Sequence, residues 1–173
     1  VGGSIKAAIV FVVANYSLTF LVVGFLFAWA AIARAPKPVS RHVVVDKLLA
    51  WYIFWAIGVC YLYNFVMHSV FAKMSAAFIG WPDSPFQFEV ATASLGFAVV
   101  GFVAAFRSFD MRLAAVLGPS FFLLGAAAGH VYQMITAHNF APGNAGVIFY
   151  MDIVIPIVGF VLLWLDRRSS TTA

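Results

Sequence analysis

Apolar residues run through this chain in blocks longer than a globular core requires. They form five stretches, at about Ala7–Ala33, Leu48–Ala72, Phe86–Phe106, Leu113–Ala137 and Gly146–Leu165. A hydrocarbon layer about 30 Å thick is crossed by roughly 20 apolar residues of helix, so each stretch is read as a membrane span. Strands are excluded, because an open sheet would leave backbone groups unpaired in lipid. The predicted fold is all-α, a single-domain integral membrane bundle of five transmembrane helices over residues 1–173. "AIARAPKP" after the first stretch loosely resembles a signal-peptidase site. That stretch is much longer than a signal sequence's apolar region of about 7–15 residues, so a retained helix is expected. The opening on Val1 rather than Met leads us to expect a chain trimmed at its start.

Composition supports this reading. Only 9% of the residues are charged and 64% are hydrophobic, whereas a soluble domain carries about a quarter charged residues. The first partner is therefore the lipid bilayer. The formal charge of +4 is no nucleic-acid signal, because its placement fits membrane orientation. Arg34, Lys37, Arg41 and Lys47 crowd the first connection, Arg107 and Arg112 the third, and Arg167 and Arg168 follow the last span; the opposite side has Lys6 and Lys73. The positive-inside rule then puts the N-terminus outside and the C-terminus in the cytoplasm. Trp29, Trp51 and Trp164 are expected as anchors at the inner interface and Trp81 at the outer one. Arg107, Asp110 and Arg112 read as an exposed charge group, His42 as solvated, and the "SSTTA" tail as a frayed terminus. Cys60 is the one cysteine, so no intrachain disulfide forms.

Two connections carry strong turn chemistry. In "GWPDSPFQFE", Ser84 suits an N-cap, Pro85 the first helical position, and Gln87 the far end of a capping box. Glu89 then falls near the positive end of the helix dipole, where a carboxylate is favoured. In "HNFAPGNAG", Pro142-Gly143 turns the chain and Asn144 can cap the fifth helix. His138 suits the negative end of the fourth helix.

The polar residues inside the spans gather at one depth: Asn15, then Tyr61, Asn64 and His68, then Glu89 and Thr92, then His130 and Gln133, and finally Asp152. At 1.5 Å per residue all lie roughly 5–16 Å below the outer edge. Tyr61, Asn64 and His68 recur at helical spacing and share a face. Glu89 shares a face with Ala93 and Gly96, small enough to admit a neighbour. "GAAAG" before His130 is a small-xxx-small packing motif. Pro156 removes the bond to the Asp152 carbonyl and is expected to kink the fifth helix. Ionisable groups facing lipid are costly, about 2.5–3.5 kcal/mol for an aspartate at helix centre, so these should converge inside the bundle.

Four readings of that convergence stay open. His68, Glu89, His130 and Asp152 match the ligand set of a divalent transition metal, zinc or iron. Asn15, Tyr61, Asn64 and Gln133 would support it, and an open position would make the chain a metal-dependent enzyme. His68 and His130 could instead hold haem b, with Gly125 and Gly129 making room. Acids and histidines also build proton- or solute-handling carriers. Finally, the cluster could be structural glue in an accessory or scaffold subunit, joined to other membrane subunits or to itself.

The blocks "GWPDSPFQFE", "GAAAGH" and "NFAPGNAG" followed by "MDIVIP" resemble an uncharacterised family of small polytopic bacterial membrane proteins. The resemblance covers most of the chain from the second span onward. It implies a bacterial cytoplasmic membrane and no particular chemistry. A looser likeness to DoxX-like proteins concerns the fold alone.

Overall fold

The computed structural model describes residues 2–170; Val1 and the last three residues of the tail lie outside them. Eight helices follow in order: α1 (Gly2–Ala14), α2 (Tyr16–Ala33), α3 (Arg41–Ser69), α4 (Ala72–Ile79), α5 (Phe86–Ala104), α6 (Phe109–Ala137), α7 (Pro142–Ala145) and α8 (Val147–Ser170). No strand occurs among the described residues. Five helices are long and apolar enough to cross a membrane, namely α2, α3, α5, α6 and the run Pro142–Ser169. This is the architecture of a multi-pass membrane protein.

The first predicted span is broken. Asn15 leaves helical geometry (φ −110°, ψ 43°) and separates α1 from α2. Its side-chain amide donates to the Phe11 carbonyl at 2.8 Å, the local competition that makes Asn a poor residue inside a helix. The second span starts at Arg41, earlier than expected, because Ser40 Oγ accepts the Val43 N–H at 3.3 Å and caps the helix there. That span stops at Ser69, and α4 follows as a separate short helix that the hydropathy pattern did not reveal. Gly80, at φ 75°, ends α4 in the left-handed conformation, which glycine adopts without a Cβ penalty.

α3 is the central helix. It packs against α2, α5 and α8, while α6 and α8 form the other large interface. Midway, Ile53–Val59 is π-helical, with the Cys60 N–H reaching the Trp55 carbonyl. The core around it holds Leu49, Tyr52, Ile53, Ile57, Val116 and Ile155. Tyr52 is fully buried and its hydroxyl donates to the Ile155 carbonyl at 2.8 Å. Pro156 removes the N–H that the Asp152 carbonyl would accept, yet α8 runs through it without a break in helical assignment.

Asp46 marks one end of the bundle. Its carboxylate accepts Arg112 at 2.8 Å and Lys47 at 3.0 Å. Arg112 is buried, not part of an exposed charge group as the sequence suggested, because its guanidinium reaches across from α6 to α3. Beside it, His42 is exposed but shares a hydrogen bond with Ser169. Ser169 is itself buried and donates to the Asp166 carbonyl, so the tail's first residue belongs to α8. Trp29 and Trp164 are exposed, whereas Trp51, expected beside them, packs against Phe27, Phe54 and Phe106.

Candidate functional site

Trp81 marks the opposite end, and there the bundle is hollow. A partly open cavity of about 840 Å³ lies between α2, α3, α5, α6 and α8, with α1, α4 and α7 adding to its wall. Its wall is mostly apolar and aromatic. Gly125, Ala126 and Gly129 of the "GAAAG" motif line it. A Cβ added at Gly125 would meet nothing within 4 Å. Gly125 therefore opens onto the cavity, whereas a Cβ on Gly129 would lie 3.4 Å from the Trp81 ring, so that glycine seats the indole and not a neighbouring helix.

The polar floor is organised by a residue the sequence reading had placed only as a helix cap. Asn144, in the short α7, is fully buried. Its Oδ1 accepts from Trp81 Nε1 at 2.8 Å and lies 2.8 Å from His130 Nδ1. Its amide nitrogen donates to the carbonyls of Asn139 (2.8 Å) and His130 (3.3 Å). Indole N–H can only donate, so the atom facing Trp81 is the amide oxygen, and His130 Nδ1 must carry a hydrogen to bond it. Trp81 is thus turned inward, its ring 5.4 Å from that of His130.

His130 Nε2 in turn lies 3.4 Å from Asp152 Oδ2, and both side chains are buried. With Nδ1 carrying its hydrogen, the contact between Nε2 and the carboxyl is favourable when one further proton sits on either partner. Without it two lone pairs would face each other. With it the pair is electrically neutral, which suits a site surrounded by apolar wall.

A second polar line crosses the cavity side of α2, α3 and α5. Tyr16 donates to Asn64 Oδ1 at 2.7 Å, and Asn64 Nδ2 donates to Ser94 Oγ at 2.9 Å. Tyr61 also lines the cavity, its hydroxyl donating to the Pro119 carbonyl at 3.1 Å. His68 lines it too and bonds the Gln87 side chain. That bond takes the side chain expected in a capping box; α5 has no side-chain cap at all. Ser17 lines the cavity while only 6% exposed, and its Oγ has no partner. An unmet buried hydroxyl costs about 1–3 kcal/mol.

Of the eight residues expected at one site, His68, His130, Asp152, Tyr61 and Asn64 meet around this cavity. Three do not. Glu89 is exposed on the outer face of α5, which also exposes Ala93 and Gly96. The first turn of α5 suits a carboxylate electrostatically, so its position needs no site. Asn15 serves the α1–α2 break, and Gln133 contributes its backbone carbonyl to the end of α6, where His138 turns left-handed at φ 50°.

The expected metal set is therefore not assembled. No group of three or more His, Cys, Asp or Glu side chains that could hold an ion occurs among the described residues. Axial haem ligation by His130 meets a separate obstacle, since both its ring nitrogens already face partners, Asn144 and Asp152.

The model of a family of unknown function, DUF6790, matches residues 14–172. No curated protein matches the chain. No solved structure matches it either.

Proposed function

The chain belongs to the DUF6790 family of unknown function, and we propose that it binds a small amphipathic molecule inside the membrane, in the cavity beneath Trp81. The observation that carries this reading is the cavity itself. About 840 Å³ of mostly apolar space opens beside Gly125, with Gly129 seating the Trp81 ring, and is bordered by a few fixed polar groups. Ligand sites commonly have this make-up, an apolar wall with a small number of placed hydrogen-bonding groups that orient the occupant. Ser17 Oγ, buried without a partner at the wall, is a group that such an occupant would satisfy.

The basic residues set the orientation within this reading. Arg34, Lys37, Arg41 and Lys47, with Arg107, Arg167 and Arg168, mark the Asp46 end as cytoplasmic. The cavity then lies in the outer half of the membrane, with the N-terminal side of α2 beside it. Its occupant enters from the outer leaflet or the outer aqueous phase.

Native mass spectrometry of protein released from mild detergent tests the reading. One amphiphile per chain is expected on the wild type and weaker retention on Gly125→Leu, whose side chain narrows the cavity. Equal retention by both proteins, or none by either after exposure to extracted lipids, would remove the proposal.

A further inference from the structure

We propose that the head group of the cavity's ligand is a monovalent lipophilic cation, which takes the place of the proton shared by His130 and Asp152. This inference rests on the cavity reading above and adds the chemistry of the occupant.

Three observations meet here. First, Asp152 is the one carboxylate on the cavity wall among the described residues, and no Lys or Arg lines that wall. A site with a buried acid and no fixed cation can take a positive charge and end neutral. Second, the wall is aromatic, with Tyr16, Tyr61, Tyr63, Phe78, Trp81 and Phe122 on it. Ring faces attract a desolvated organic cation, and most strongly where water is excluded. Third, the His130–Asp152 separation of 3.4 Å is longer than a well-formed charge-assisted hydrogen bond of about 2.7–2.9 Å. Trp81 and Asn144 hold the ring from its far side, so the carboxyl can exchange its partner while the ring stays in place.

The exchange balances. Before binding, the pair holds one proton between Nε2 and Oδ2 and is neutral. On binding, that proton leaves to solvent, the imidazole keeps its Nδ1 hydrogen on Asn144, and the Asp152 carboxylate faces the ligand's positive charge. The site is neutral again. The other titratable groups on the same wall are Tyr16 from α2 and Cys60, Tyr61, Tyr63 and His68 from α3. The phenols and the thiol are neutral when protonated and add no competing positive charge. His68 is held by Gln87 and would oppose the ligand only when protonated. That effect has the same sign as the exchange, since both favour binding at higher pH.

Calorimetry in neutral-lipid nanodiscs tests this with tetraphenylphosphonium and the uncharged, similarly shaped triphenylphosphine oxide. The cation should bind at least tenfold more tightly, with affinity rising up to tenfold per pH unit. Titration in two buffers of different ionisation enthalpy should show about one proton released per cation, a readout that needs no variant. Asp152→Asn should abolish the proton release and bring the cation down to the affinity of the oxide, and Glu89→Gln should change neither. Equal binding of both compounds without proton release would overturn the inference and leave the cavity reading standing. Binding of neither compound would overturn both.

Discussion

At Gly101 and at Gly125 the same residue type serves opposite ends of the bundle. A Cβ on Gly101 would fall 2.8 Å from the backbone nitrogen of Gly58, because α5 and α3 touch there backbone to backbone. A Cβ on Gly125 would enter open space. In the Asp46 half, α3, α5 and α8 thus meet closely. Tyr52 is fitted against Ile155 and Gly159, and the Arg112–Asp46 pair ties α6 to α3. The Trp81 half is built around a void and spends its polar groups on the rim of that void. The difference lies in where small residues meet another helix and where they meet nothing.

That contrast can be broken in graded steps. Gly101→Val should have the largest effect, a loss of about 3 kcal/mol, since the clash is with backbone and the helices must part. Thermal unfolding in detergent would show it as the steepest drop in midpoint. Asn144→Ala comes next, at about 2–3 kcal/mol, because it strips partners from Trp81, His130 and two buried carbonyls. Its signature would be loosening of α4 and α7, seen as faster hydrogen exchange there and unchanged exchange around Tyr52. Arg112→Ala should cost about 1–2 kcal/mol, less than a fully buried pair, because Asp46 is partly exposed and keeps Lys47. Gly125→Val should shift stability by no more than about 0.5 kcal/mol, since glycine's cost in a helix and the loss of cavity space act in the stabilising direction. A large loss at Gly125, or a negligible one at Gly101, would erase the distinction between the halves.

The sequence carried the spans well and the site in part. Five long apolar stretches correspond to five helices because lipid leaves the chain few other options, and that constraint is written in composition. The depth of His68, His130 and Asp152 was legible for the same reason, each being costly in oil alone. Facing was not. Glu89 sits at a similar depth on the exposed side of α5, and nothing in an apolar run with weak periodicity shows which side packs. Asn144 was visible only as a turn residue. Its role depends on α7 folding down over α6, a tertiary event that brings Trp81, 63 positions earlier, to the same oxygen. The GAAAG motif misled for a related reason: small residues permit close approach but do not compel it.

The central claim is that the space beneath Trp81 is a binding site, and Trp81 reports on it directly, as the one tryptophan on the cavity wall among the described residues. The most direct measurement is quenching of tryptophan fluorescence by a brominated, uncharged short-chain amphiphile in nanodiscs. The account predicts a saturable component on the wild type that disappears in Trp81→Phe and weakens in Gly125→Leu, above a linear background from the exposed Trp29 and Trp164. A purely linear response, the same in all three proteins, would contradict it.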